Sequence, residues 1–157
     1  MTDTAGGRGS PVIRTASLGE LSDLVRLTRA FYDEDGFTTS DEDIRSRFES
    51  FLAADDARVT VATVDGASCG FALTTVRLIL ESGPVAEIQD LYVDPGHRRR
   101  GIAGALIEDA ASWARSQAAS LVEVVVAPNG YDVEHLVSYY ASLDFKDEGR
   151  RLLTRDL

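Results

Sequence analysis

Residues 94–107, Asp-Pro-Gly-His-Arg-Arg-Arg-Gly-Ile-Ala-Gly-Ala-Leu-Ile, constrain this chain more than any other stretch. Proline fixes one φ angle and glycine takes a conformation closed to other residues, so Asp94-Pro95-Gly96 forces a turn. After Arg98, Arg99 and Arg100, the run Gly101-Ile102-Ala103-Gly104 opens a helical pattern. The first turn of a helix has no internal acceptors for its N–H groups, and the dipole adds positive charge at the same place. A glycine-spaced entry into a helix is therefore an anion cradle, suited to phosphate. Residues 85–93 read as a strand leading into it.

Two common phosphate motifs are missing: the chain contains neither G-x-x-x-x-G-K-[ST] nor G-x-G-x-x-G. Arg98-x-x-Gly101-x-Ala103 instead resembles the Q/R-x-x-G-x-G/A signature of the GNAT superfamily of N-acetyltransferases. Val93-Asp94-Pro95 before it and Ala105-Leu106-Ile107 after it are also similar to that family. The resemblance runs from about Pro11 to the C-terminus.

With 157 residues, the chain suits one domain, expected over residues 11–157 behind a disordered tail at 1–10. No apolar run approaches membrane-spanning length and no signal pattern opens the chain, so a cytoplasmic protein is the expectation. The single cysteine, Cys69, excludes an intrachain disulfide and reads as a small core residue. His97 and His135 make no metal-ligand spacing, and no metal is expected. A net charge of −10 argues against nucleic acid as a partner and makes the three arginines a local basic island. The same acidity suits a cationic acceptor, or simply keeps the protein soluble. A homodimer is compatible with these features.

Ten elements follow in the order β-α-α-β-β-β-α-β-α-β. Residues 11–16 read as a strand, and Ser17-x-x-Glu20 is a capping box for a first helix ending near Asp35-Gly36. Thr39-x-x-Glu42 repeats the capping signal before a second helix carrying Ile44, Phe48, Phe51 and Leu52. Strands at 58–64, 67–80 and 85–93, joined by Asp65-Gly66 and Ser82-Gly83-Pro84, predict an antiparallel meander. A third helix buries Ile102, Leu106, Ala110 and Trp113. Residues 121–126 then predict a strand covered on most of both faces and parallel to 85–93. Asp132 caps a fourth helix with Val133, Leu136, Val137 and Tyr140 inward, and 145–157 hold a last strand. The fold class is α/β (α+β): a mixed, mostly antiparallel GNAT-like sheet flanked by four helices.

The resemblance implies acetyl-CoA as co-substrate and direct transfer of its acetyl group to a primary amine of a small molecule or peptide. It places the pyrophosphate on the cradle formed by Arg98, Arg99, Arg100, Gly101, Ile102, Ala103 and Gly104, with at least one arginine on phosphate. Pantetheine is implied to lie like an added strand along Leu91, Tyr92 and Val93, where the family has a bulge near the position of Leu91. Most amines are protonated at neutral pH, so a carboxylate is needed to take the proton. Glu87 is the candidate base; alternation puts it with Gln89, Leu91 and Val93 on one face and Asp90 on the other. The alternative for Glu87 is a salt bridge at the sheet surface. Tyr140, in Tyr-Ala-Ser-Leu-Asp-Phe, resembles the family's Y-x-x-x-G-F ending, whose hydroxyl faces the coenzyme sulfur; Tyr139 is the neighbouring alternative.

The chain departs from the family at Asp144, which replaces a glycine and calls for a left-handed aspartate. It departs again at Val133, which replaces an asparagine; Asn129 further upstream reads as a turn residue. Tyr32, Asp33 and Glu34, at the first-helix end, are implied to border the acceptor pocket. A non-catalytic acyl-CoA-binding module and a different acyl donor are the competing readings.

Overall fold

The computed structural model describes residues 9–127 and 132–157. Two compact units result, Met1–Val125 and Val126–Leu157. The first holds one five-stranded sheet in the order β1-β2-β3-β4-β5, from β1 (Val12–Thr15), β2 (Ala57–Val64), β3 (Ala67–Ile79), β4 (Gly83–Val93) and β5 (Val122–Val124). Neighbours from β1 to β4 pair antiparallel, while β4 and β5 pair parallel. The helices of this unit are α1 (Leu21–Asp35), α2 (Asp41–Ala53) and α3 (Ile102–Ser116).

The expected signals place most boundaries. Ser17 and Glu20 form the reciprocal capping box, closing a short 3-10 turn at Leu18–Glu20 that runs into α1. Gly36, at φ 80, ends α1 in the left-handed conformation. Asp65 and Gly66, at φ 51 and 80, supply the two positive angles of a tight hairpin between β2 and β3. For α2 the cap is Ser40 rather than Thr39: the Ser40 side chain accepts from the Asp43 N–H. Ser40 stands one residue ahead of the helix, which begins at Asp41, whereas Thr39 stands two ahead of it.

The sheet is covered on two faces. On one, Leu24 and Leu27 of α1 and Ile44 and Phe48 of α2 pack on Val59, Val61, Phe71, Leu73 and Tyr92. On the other, Ile102 and Leu106 of α3 pack on Ala62, Val64, Cys69, Ala72 and Val93. Trp113, expected inward, is only half-buried; Ala114 takes the buried position beside it. Strand β5 is shorter than residues 121–126, and Leu121 and Val125 are exposed, so the expected cover on both faces is not made. Its apolar run carried the composition of a buried strand, but only residues 122–124 find partners on β4.

The second unit contains α4 (Val133–Ser142). Asp132 stands at its N-cap at φ 52, but its side chain makes no capping bond, contrary to expectation. Of the residues expected inward on α4, Tyr140 is buried and packs edge-on against Tyr139 and Phe145, whereas Leu136 and Val137 are exposed. Asp144 adopts the left-handed conformation predicted for it, at φ 66. Residues 145–157 form no strand, so the last element of the expected order is absent. Asn129 and residues 1–8 of the expected tail lie outside the described residues.

Arg58 and Thr60 of β2 hold α3 in register. The Arg58 guanidinium donates two bonds of 2.8 Å to the Asp109 carboxylate, and the Thr60 hydroxyl adds a third, also at 2.8 Å. These bonds, led by Arg58, depress the Asp109 pKa. A depressed folded pKa means the stabilisation is present above the ordinary carboxylate range and lost as pH falls through the folded value. Asp109→Asn is predicted to lower stability by about 2 kcal/mol at pH 7. In urea titrations, the gap to the parent should narrow below about pH 4.

Candidate active site

The cradle is formed where β4 hands over to α3. A short 3-10 turn, Pro95–His97, follows Asp94, and the chain reaches α3 through Arg99 at φ 60 and Gly101 at φ 77. Gly101 is the N-cap, and the first helical bond runs from the Ala105 N–H to its carbonyl at 3.0 Å. The N–H groups of Ile102, Ala103 and Gly104 thus lack helical acceptors, as a first turn requires. A Cβ on Gly101 would meet nothing within 4 Å, so glycine is needed there for its backbone angle, and the space above it is open.

The arginines divide by partner. Arg98 turns back: its Nε donates to the Val93 carbonyl at 2.8 Å and its Nη2 to both carboxylate oxygens of Glu34. Its guanidinium also lies 5.4 Å from the Tyr92 ring centre. Arg100 donates to the Gly9 carbonyl at 3.0 Å. Arg99 is exposed. The predicted phosphate arginines are therefore not equivalent, and Arg98 serves to tie the cradle loop to the end of α1.

Beside the cradle, the sheet opens. The parallel register of β4 and β5 runs Ala86↔Val122, Glu87↔Glu123 and Ile88↔Val124 and stops there. Beyond Ile88, the β4 edge through Leu91 and Val93 has no β5 partner, the condition for an added strand. A bulge coincides with this point: Leu73 pairs with Asp90 and Thr74 with Ile88, leaving Gln89 as the extra residue of β4. The bulge was expected near Leu91 and stands two residues earlier.

This displacement overturns the expected faces of β4. Alternation restarts after the extra residue, so Leu91 and Val93 face α3, while Asp90 and Tyr92 face α1 and α2. Glu87, paired opposite Thr75, falls on the α1–α2 side with Asp90, not with Leu91 and Val93. Of the predicted coenzyme ligands on β4, Leu91 and Val93 offer backbone on the open edge. The Tyr92 side chain is buried away from them, its pKa pushed up to about 12 by desolvation and by Glu34, to which the hydroxyl donates at 3.0 Å.

Glu87 takes part in a charged group across three strands. Arg77 of β3 donates to Glu87 Oε2 at 2.7 Å and also to Glu123 of β5. The salt bridge weighed for Glu87 is thus present, and it engages Oε2. Gln89 donates to the Thr75 hydroxyl at 2.8 Å on the same stretch.

Among the predicted acceptor residues, only Tyr32 lines a cavity. Asp33 is exposed, within 3.5 Å of Arg29, and Glu34 is held by Arg98 and Tyr92. The cavity lies between α1, α2 and the sheet, lined by Thr28, Tyr32, Ile44, Arg47, Phe48, Phe51, Leu73 and Asp90. Asp90 is the group that sequence reasoning passed over: it was placed only on the face opposite Glu87 and given no role. Desolvation alone pushes its pKa up to about 6. Cys69 is buried as expected, its thiol donating to the Ala62 carbonyl at 3.4 Å and its pKa raised by burial. Tyr140, in the second unit, has its phenol pushed up to about 12, first by burial and then by Tyr139.

A mixed sheet whose one parallel pair parts beside an open helix mouth is the architecture of an acyl-CoA-type transferase. The sequence model of the Acetyltransferase (GNAT) family matches residues 21–145, and the chain belongs to that family. It is 33% identical over 138 residues to an uncharacterized N-acetyltransferase of Archaeoglobus fulgidus, covering 85% of this chain and 92% of the relative. It is 30% identical over 112 residues to an aminoglycoside N(6')-acetyltransferase type 1 of Klebsiella aerogenes, covering 69% of this chain and 73% of that one. The fold is shared with AAC(6')-Iy solved with the bisubstrate analogue CoA-S-monomethyl-acetylneamine: TM-score 0.84, 22% identity, 95% of this chain and 99% of that one. Among the described residues, no cluster of three or more His, Cys, Asp or Glu could hold a metal ion, and no helix is long and apolar enough to cross a membrane.

An ionised Asp90 is costly where it stands. Its folded pKa is raised above the unfolded value, so this one group makes the protein less stable as pH rises from about 4 to about 6, and the loss persists above that. Asp90→Asn is predicted to stabilise the fold at pH 8 by up to about 3 kcal/mol, shrinking towards zero at pH 4, in urea titrations across that range.

Proposed function

We propose that this protein is an N-acetyltransferase that moves the acetyl group of acetyl-CoA to a primary amine of a small molecule, by direct attack within a ternary complex. The observation that carries the reading is the conjunction, in one unit, of an α3 N-terminus without a side-chain cap and a β4 edge that, among the described residues, has no partner beyond Ile88. The first suits the diphosphate of the coenzyme, held by the N–H groups of Ile102, Ala103 and Gly104 with Arg99 above them. The second suits the pantetheine amides, through backbone groups of Leu91 and Val93. One lone pair of the Val93 carbonyl is already engaged by Arg98, so the N–H groups of the edge and the Leu91 carbonyl carry more of that contact.

In the reaction, the amine lone pair forms the C–N bond at the thioester carbonyl as the C–S bond breaks. Glu87 takes the ammonium proton, through water, on the oxygen that Arg77 leaves free. The motif resemblance at Tyr140 is what assigns its hydroxyl the role of giving a proton or a hydrogen bond to the departing thiolate. Its raised pKa keeps that phenol neutral, and so able to donate, at any physiological pH. The relatives named as aminoglycoside acetyltransferases support a small amine-bearing acceptor, and the coenzyme analogue in the matched structure supports the donor.

The test is release of free thiol from acetyl-CoA over a panel of primary amines, diamines and aminoglycosides. At least one acceptor should be turned over. Tight coenzyme binding without thiol release on the whole panel points instead to a binding module. Gly101→Asp should abolish coenzyme binding by calorimetry, because it adds negative charge at the cradle and forces a side chain into the left-handed region. Tyr140→Phe should lower kcat by roughly 10²-fold or more with coenzyme affinity kept, the range of general-acid contributions being about 10²–10⁴-fold.

A further inference from the structure

Three charged side chains form a group on the α1–α2 face of the sheet that the reaction above uses only in part. Glu87 of β4 and Glu123 of β5 are paired in the parallel register, one step before that ladder ends at Ile88 and Val124. Side chains of paired residues point to the same face of a sheet, and neighbouring strands lie about 4.8 Å apart. Two carboxylates set side by side in this way repel. Arg77 of β3 bonds to both: its Nη1 donates to Glu87 Oε2 at 2.7 Å and its Nη2 to Glu123 Oε1. The guanidinium thus reaches over β4 and joins the strands on either side of it. Among the described residues, neither acid forms a second ion pair.

An exposed ion pair on its own contributes little. This group differs in burial and in connection. The side chains of Glu87 and Glu123 are only 22% and 24% exposed, and one cation is divided between them. The division matters for the chemistry. An arginine that faces a single carboxylate favours a two-bond fork, which engages both oxygens. Here one arm of the fork is held by Glu123, so Glu87 receives one bond from Arg77, on Oε2, and keeps Oε1 clear of it. A base takes its proton best on such an oxygen, because charge committed to two guanidinium bonds is withheld from the proton.

We propose that Glu123 is a positioning residue for the base. By holding one arm of Arg77, it limits the guanidinium to a single bond on Glu87 and keeps the other Glu87 oxygen open to the ammonium proton. This rests on the reading of Glu87 as the base in amine acetylation. It adds two residues, one on each neighbouring strand, that act through Glu87 rather than on the substrate. Arg77 fixes where the Glu87 carboxylate lies, and Glu123 fixes how much of it Arg77 takes. The place in the sheet suits the task, because the pairing of β4 with β5 ends immediately beyond the two acids, at the edge assigned to the pantetheine arm.

Glu123→Ala frees the second arm, and a crystal structure of that variant without coenzyme should show both Nη atoms of Arg77 on Glu87. An Arg77 that keeps its single bond there would overturn the proposal, whether or not an acceptor is in hand. With an amine that is turned over, Glu123→Ala should lower kcat by about tenfold or more, with KM for the amine changed less than about threefold. Glu123→Gln, whose amide oxygen still accepts from Nη2, should keep kcat within about threefold of the parent. Adding Arg77→Met to Glu123→Ala should raise kcat by about threefold or more over Glu123→Ala alone, because the fork covering Glu87 is then gone. A merely structural role predicts the opposite order; a double variant no faster than Glu123→Ala would overturn the proposal. Glu87→Gln separates the two claims. If it leaves kcat unchanged, the reading of Glu87 as the base fails, while the crystal structure still decides whether Glu123 divides Arg77.

Discussion

One extra residue, Gln89, decides the geometry of the first unit. Up to Ile88, β4 is an interior strand with β3 on one side and β5 on the other. At the bulge its ladder with β3 slips by one, and the pairing with β5 has ended. A bulge sharpens the local twist of its strand and re-aims the side chains beyond it. Here it frees the backbone edge of Leu91 and Val93 and turns Asp90 into the apolar cavity. It also brings Glu87 onto the same face as Asp90, where unbroken alternation would have set them apart.

The loop that follows is fixed to that edge from both sides. Arg98 reaches back to the Val93 carbonyl and across to Glu34, which also receives the Tyr92 hydroxyl, so the end of α1 and the end of β4 are joined by one carboxylate. Asp109, bonded to Arg58 and Thr60, holds α3 on β2. A helix mouth is a useful anion site only if it keeps a constant position relative to the open strand edge. Preorganisation of this kind lowers what binding must spend on ordering. The acidic residues near the helix mouth are accordingly engaged in structure, whereas those assigned to chemistry keep at least one oxygen free.

Much of this was legible in the chain. Capping chemistry at Ser17 and Glu20, the Asp65-Gly66 hairpin, the meander and the strand-turn-helix at residues 85–107 follow from local rules that tertiary context did not override. The parallel β5 followed from its place after a strand–helix connection through α3. What was not legible depended on partners distant in sequence. Whether Thr39 or Ser40 caps α2 is decided by where the helix starts, and whether residues 145–157 pair depends on a neighbour that composition does not name. The faces of β4 were misread because periodicity assumes no inserted residue. Arg98 was read as a phosphate ligand because its partner Glu34 lies 64 residues away in the chain.

The central claim is that the α3 mouth and the unpaired β4 edge act as one coenzyme site. Amide chemical shifts recorded during titration with coenzyme A test it most directly. The account predicts that the largest changes fall on Ile102, Ala103 and Gly104 together with Leu91 and Val93, saturating at a single dissociation constant. Changes confined to the helix mouth, or centred on residues elsewhere in the sheet, would contradict it.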